Sequence, residues 1–133
     1  MAIAIANPTV RVNDETIPVV PNSVKVKLGS GETNVRAASS GGGSIETVHT
    51  SDAESKISGA YFDIYNTPEM LRKISGWKTD IGALTVQVVG TVPGGATFSV
   101  AMANVSLTND PDIELSADGV TSLEFMGDPA QVG

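Results

Sequence analysis

The sequence predicts a mainly β fold: a β-sandwich or rolled sheets carrying one short α-helix. Three observations lead there. Gly, Ser, Thr, Val and Ala dominate while aromatics make up only 5%, a composition of short strands and turns rather than of a helical bundle. Most segments alternate apolar and polar residues with period two between turn signals. Only one stretch repeats with the period of a helix. At 133 residues the chain reads as one domain, residues 1–133, long enough to bury a core without covalent staples.

Composition also narrows the functions. The chain has no cysteine, so disulfides and thiolate metal sites are excluded and the redox compartment cannot be read. Eight Lys+Arg against fifteen Asp+Glu give a net charge of −7. Such a surface does not grip nucleic-acid phosphates, although nucleic acid can slide past it. No apolar run approaches the roughly 20 residues that span a bilayer. The N-terminal MAIAIANPTV is apolar for only a few residues and has no basic start, so it does not read as a signal peptide.

Residues 1–8 form an N-terminal arm in which Ile3 and Ile5 alternate before Asn7-Pro8. Such an end either docks on something or frays. Thr9–Val20 splits at the turn pair Asn13-Asp14, and Pro18 makes its second half an edge strand or the first residues of a strand. Ser23–Leu28 is a strand with Val24, Val26 and Leu28 on one face and Lys25 and Lys27 on the other. Gly29–Ser44 is a long glycine-rich loop. Glycine has the highest ordering cost and little here can be buried in return, so this loop is expected to order only against another subunit. It lacks the Gly-Lys-Ser/Thr of a phosphate-binding loop, and a strand rather than a helix follows it. That strand, Ile45–Asp52, carries Glu46 and Val48 on one face and Thr47 and His49 on the other. Residues 23–28 and 45–49 are expected to pair as a long hairpin with the glycine-rich loop at its tip.

Ser55–Tyr65 is the next strand, with Ala60, Phe62 and Ile64 directed to the core and Gly59 as an expected bend. Asn66–Lys78 is the helix. Thr67 is a suitable N-cap and Pro68 suits the first helical position. Glu69 faces the positive end of the helix dipole and pairs with Lys73 four residues on. Met70, Leu71, Ile74 and Trp77 form one apolar stripe that must lie on the sheet, and Gly76 is expected to help end the helix. Gly82–Val92 is a strand with Leu84, Val86 and Val88 in register, followed by a turn at Pro93-Gly94-Gly95. In the following strand Phe98, Val100 and Met102 share one parity and Val105 and Leu107 the other. The switch predicts a bulge or kink near Ala103-Asn104. Acidic turns at Asn109–Asp112 and Ser116–Gly119 lead to Val120–Met126, with Leu123 and Phe125 inward and Glu124 outward. The last two strands are expected to form an antiparallel pair.

No catalytic constellation is found. The acids sit at turns, where Asp and Asn serve the backbone. Asp110, Asp112, Glu114 and Asp118 lack the spacing of a helical calcium loop. His49 is the one histidine and has no cysteine or second histidine with which to hold zinc. No serine lies in a nucleophile-elbow pattern. The residues thus point to a non-enzyme without cofactor, and leave open a monomeric acidic β-sandwich that binds calcium or another ligand through its turns.

The strand pair TFSVAMANVSLTNDPDIE, the ending ADGVTSLEFMGDP and the preceding NTPEMLRKISGWKTDIGALTVQVVG resemble the tail tube proteins of long-tailed bacteriophages, most of all the Mu-type tube family. The likeness covers about the last 75 residues; the first 55 match in layout rather than in letters. It implies a structural virion protein, made in the bacterial host cytoplasm, whose hexameric rings stack into the hollow tail tube. One sheet of each subunit would join its neighbours in a continuous inner β-barrel. Double-stranded DNA would pass through the lumen as non-specific cargo, and the sheath, tape-measure, baseplate and terminator proteins would be partners. The resemblance tilts toward a contractile tail, and an inner tube of a phage-like contractile injection system has the same physics. It further implies contacts between rings or subunits through the arm and the loop: Ile3, Ile5, Gly29, Glu32, Val35, Arg36, Gly42 and Ile45. Lys25, Lys27, Glu46 and Glu124 would form a polar face toward the lumen or a neighbouring subunit.

Overall fold

A computed structural model describes residues 8–91 and 94–133; Ile3, Ile5 and Pro93 lie outside the described residues. The chain runs through β1 (Thr9–Val12), β2 (Glu15–Ile17), β3 (Lys25–Lys27), β4 (Thr33–Ser40), β5 (Ser44–Ser51), a 3-10 turn (Ala53–Ser55), β6 (Ser58–Tyr65), α1 (Pro68–Thr79), β7 (Leu84–Thr91), β8 (Thr97–Leu107), β9 (Val120–Gly127) and β10 (Gln131–Val132). One sheet has the order β2-β1-β7-β8-β9-β6-β3, with β10 added on β8, and β4 and β5 form a separate two-stranded ribbon. The fold is mainly β with antiparallel pairing, as expected.

The large sheet folds on itself at β8. Residues Thr97–Met102 pair with Thr91–Val86 of β7. Ala103 and Asn104 then oppose Thr85 alone, because the register resumes with Val105 opposite Leu84. Asn104 takes the left-handed conformation, φ 52°, as a bulge of this kind requires. The extra residue reverses the parity, so Met102 and Val105 both face the core. Beyond the bulge, Ser106 and Leu107 pair with Met126 and Phe125 of β9. β8 therefore belongs to both halves of the sheet. The expected pairing of β8 with β9 is confined to this short stretch, and the main partner of β9 is β6, matched from Ser58–Gly127 to Tyr65–Val120.

Bonds across the bulge hold the two halves together. Asp128 N–H donates to the Ala103 carbonyl at 3.1 Å, and Asn104 Nδ2 donates to Asp128 Oδ2 at 2.6 Å. Ser58 Oγ, fully buried, donates to the Asp128 carbonyl at 2.5 Å. A Cβ on Gly127 would stand 2.7 Å from Val105 Cγ2 and 2.8 Å from the Ala103 carbonyl oxygen. Glycine at this position is thus what lets the end of β9 reach the bulge.

One core lies between the halves, built from Val10 and Val12 of β1, Ile17 of β2, alternate residues of β6 to β9, and α1. Phe125 is its centre: Phe62 stacks on it at 5.4 Å and Trp77 meets it edge-on at 5.6 Å. The helix begins as expected, with Thr67 Oγ1 accepting from Met70 N–H at 3.2 Å and Pro68 first in the helix. Met70, Ile74 and Trp77 are buried, whereas Leu71 is only partly covered. Gly76 does not end the helix, which continues to Thr79 with Asp80 as its cap. Lys78 Nζ instead secures that end, donating to the carbonyls of Leu107 and Asn109 at 3.0 and 3.1 Å. Gly59 is no bend either: it sits within β6, and a Cβ there would strike the Tyr61 ring.

The bulge yields a ranked expectation. Asn104→Val forces a β-branched residue into the left-handed region and removes the Asp128 bond, a loss of about 2–3 kcal/mol. Asn104→Gly keeps the backbone conformation and loses only the bond, about 1 kcal/mol. Urea unfolding of both variants measures the order; equal losses would mean that the left-handed conformation carries no weight.

Candidate assembly interface

Two surfaces stand out: the outer face of the β3-β6-β9 half-sheet, and the β4–β5 ribbon. On the first, Lys25, Tyr61 and Glu124 lie in one cross-strand row, and Lys27, Gly59 and Met126 in another. Glu124 is held in place: its N–H donates to Asn109 Oδ1 at 3.0 Å, and Thr108 Oγ1 donates to its carboxylate at 3.1 Å. On the same face Ser122 Oγ donates to Asp63 Oδ1 at 2.6 Å. Lys25 and Lys27 are exposed and make no ion pair among the described residues. The structure thus gathers Lys25, Lys27 and Glu124 on one polar face and separates Glu46 from them. Glu46 lies on the ribbon, because β5 pairs with β4 and not with residues 23–28; β3 pairs with β6.

The second surface revises the expected loop. Thr33–Ser40 is extended and paired residue for residue with Ser44–Ser51, from Thr33–Ser51 to Ser40–Ser44. Only Gly41–Gly43 form the tip, with Gly42 and Gly43 at φ 89° and 84°, conformations that a residue bearing Cβ resists. The root is ordered. Glu32 N–H donates to Ser55 Oγ at 2.7 Å, Ser55 Oγ donates to the Asp52 carbonyl at 2.5 Å, and Asp52 caps the 3-10 turn through Glu54 N–H at 3.0 Å. Gly29 is buried at this root against Ile57 and Ser58. The predicted contact residues Gly29, Glu32, Val35, Arg36, Gly42 and Ile45 therefore run from root to tip of one hairpin.

The two faces of the hairpin differ. Partnered residues share a face, so Val35 and His49, Ala37 and Thr47, and Ser39 and Ile45 lie together. Arg36 and Val48, with Ala38 and Glu46, lie on the other. The first face has no carboxylate, lysine or arginine; the second has one acid and one base. Val35 is 57% and Ile45 75% exposed. A two-stranded hairpin by itself is marginal in water, and this one leaves Val35 and Ile45 uncovered among the described residues.

Among the described residues, no three His, Asp or Glu side chains converge into a possible metal site, and Asp110, Asp112, Glu114 and Asp118 do not form one. No described helix is long and apolar enough to cross a membrane.

No protein-family model matches the chain, and no curated protein matches it in sequence. In fold it is similar to a chain of the sheath/tube terminator, in the extended state, of an extracellular contractile injection system (PVC). The TM-score is 0.70 at 18% identity, over 100% of this chain and 97% of that one. A chain of the PVC sheath-tube complex in the extended state gives 0.65 at 15% identity, over 99% and 91%. A chain of the anti-feeding prophage tube-terminating cap gives 0.66 at 12%, over 100% and 91%. At these identities the likeness is one of fold, and it spans the chain from end to end.

Electrostatics joins the helix to β2, the outermost strand of the large sheet among the described residues. Lys73 Nζ donates to Glu15 Oε1 of β2's first residue at 2.5 Å and lies 3.3 Å from Glu69 Oε1. The hydrogen bond to Glu15 is the main cause that raises the Lys73 pKa above its ordinary 10.5, desolvation opposes it, and Glu69 adds to it. A folded pKa above the unfolded value means that this link contributes in full below 10.5 and is lost as pH rises through the raised value. Thermal melts of the wild-type chain and of Glu15→Gln should therefore differ slightly at neutral pH and converge in strongly alkaline solution. A gap that persists there would assign it to packing and not to charge.

Proposed function

We propose that this chain is a structural subunit of a phage-tail-like tube. The observation that carries this reading is the end-to-end fold likeness to chains of tube and terminator assemblies, on a subunit that holds out an uncovered hairpin. In the fuller form of the proposal, six copies close into a ring through edge pairing of their sheets. Closure removes the exposed edges at β2 and β3. The hairpin and the N-terminal arm, with Ile3 and Ile5, reach the neighbouring ring. The face bearing Lys25, Lys27 and Glu124 looks to the lumen or meets acids of a neighbour. With each copy at −7, the ring is strongly acidic and lets double-stranded DNA pass without adhering. Sheath, tape-measure, baseplate and terminator proteins are the fitting partners, and the virion tail the fitting location.

A second reading has specific support. The similar chains come from contractile injection systems and a prophage cap, which favours the inner tube or terminator ring of such a system over a DNA-conducting tail. Both predict rings; they differ in cargo. Negative-stain microscopy and native mass of the purified protein test what they share: rings or hollow filaments support it, and a strict monomer at high concentration overturns it. Nucleic acid recovered from intact particles separates the two.

The hairpin supplies the sharper test. Thr33 and Ser51 are cross-strand partners, about 5 Å apart, so Thr33–Ser51 can be replaced by a two-residue glycine link. The expected outcome is a melting temperature within a few degrees of wild type and loss of stacked tubes. Long tubes formed by the shortened chain would refute this role for the hairpin.

A further inference from the structure

We propose that one side chain, Ser55, sets the direction in which the β4–β5 ribbon leaves the subunit, acting as a latch beside a glycine pivot at the ribbon's root. The inference concerns a single chain and holds whether or not the chain assembles.

The ribbon has little else to hold it. All eight residues of β5 are exposed, as are residues 33–37 of β4, and no described ribbon residue belongs to the core. The ladder ends at the pair Thr33 and Ser51. Below that pair two stems lead to the body, and each has a fixed foot. On the first, Gly29 is buried, and a Cβ there would stand 2.6 Å from Ser58 N. The Leu28 carbonyl beside it accepts from Ala130 N–H at 2.8 Å. On the second, Ser58 is fully buried and bonded to the Asp128 carbonyl. Between foot and ladder lie residues 30–32 on one side and residues 52–57 on the other.

Gly31 is the pivot. Its φ of 96° suits glycine and is resisted by residues bearing Cβ. Glycine has the widest torsional freedom, so this stem by itself fixes no angle. The other stem is stiffened by its 3-10 turn, where Asp52 Oδ1 accepts from Glu54 N–H and Lys56 N–H donates to the Ala53 carbonyl at 3.1 Å. Ser55 joins the two. Its hydroxyl accepts from Glu32 N–H at 2.7 Å and donates to the Asp52 carbonyl at 2.5 Å. Within residues 51–57 it alone is half-buried. Among the described residues no ion pair joins the stems. The Lys56 stem lies over Gly31, where a Cβ would stand 3.3 Å from its Cγ and Cε. Such an apolar contact can slide, whereas a hydrogen bond has a preferred direction. The hydroxyl thus supplies the angle that the glycine leaves open. Leverage makes the root decisive. Strands of eight residues at roughly 3.3 Å each give a ribbon about 26 Å long, so a tilt of about 20° at the root carries the tip about 9 Å.

The chain has no cysteine, so two introduced thiols are the only ones. Thr47→Cys on the ribbon and Ser75→Cys on α1, both at exposed positions, carry spin labels. The labelled chain is diluted in excess unlabelled chain, and double electron–electron resonance then reads distances within one chain. A single narrow distance distribution is expected. Adding Ser55→Ala should at least double its width, with a melting temperature within a few degrees of the parent's. Ser55→Thr, which keeps the hydroxyl, should restore the narrow distribution. An unchanged width in Ser55→Ala, or a parent distribution already as broad, overturns the latch. Amide exchange separates aiming from folding. Glu32 N–H should exchange faster in Ser55→Ala while the amides of the β4–β5 ladder keep their rates. Ladder amides that accelerate with it would mean that the hydroxyl holds the ribbon together and does not aim it, which also overturns the proposal. Neither measurement depends on assembly, so a failed latch leaves the tube reading standing, and a chain that forms no tubes leaves the latch standing.

Discussion

The two-against-one opposition of Ala103-Asn104 to Thr85 is the constraint on which the rest of the structure depends. A regular strand sends alternate side chains to opposite faces, so β8 could serve only one layer without it. With one extra residue in the left-handed conformation, Met102 faces the core from one half-sheet and Val105 from the other. The polar groups freed by the bulge are taken up by Asp128, which needs Gly127 small and Ser58 in place. The Gly127-Asp128-Pro129 ending is therefore a clasp on the bulge. Thr85, opposite the bulge, is braced from behind. Asn13 donates N–H to its carbonyl at 2.9 Å and accepts its N–H through Oδ1 at 3.0 Å, which fastens the β1–β2 turn to the same point.

This clasp also orients the candidate interface. It ties the start of β6 to the end of β9, at the end of the ladder where the hairpin root sits. The opposite end is tied separately, by Asn66 through the Glu114–Gly119 loop. A rigid ladder with a bonded fixture at each end keeps the hairpin root in a set place on the sheet.

Much of this was legible in the sequence, for identifiable reasons. The parity switch from Met102 to Val105 announced the bulge, since two apolar runs of opposite parity on one strand admit no regular solution. Thr67-Pro68 announced the helix start, since cap and proline act locally. The hairpin was harder. Thr33–Ser40 carries one large apolar residue, Val35, and no period-two pattern, so its pairing with Ser44–Ser51 left no hydrophobic trace. Its strand character comes from a partner of equal length, and the misplacement of Glu46 beside Lys25 and Lys27 followed from that. Gly59 and Gly127 look alike as letters, and only their neighbours, the Tyr61 ring and the Ala103 carbonyl, show that both answer to close approach.

The absent hydrophobic trace is itself informative. A hairpin selected to pack on its own subunit would show alternation against its own core, as β6 and β7 do. β4 and β5 instead combine small residues, threonines and isolated Val35, Ile45 and Val48 with a glycine tip. Such a surface is polar enough to stay in water and still leaves apolar area that would gain from being covered. The net charge of −7 adds a general repulsion between copies, which a specific contact would have to outweigh. The ribbon's weak pattern, which hid it from a reading of periodicity, fits the reversible contact proposed for it. A stronger pattern would have been easier to find, and would have driven association without regard to geometry.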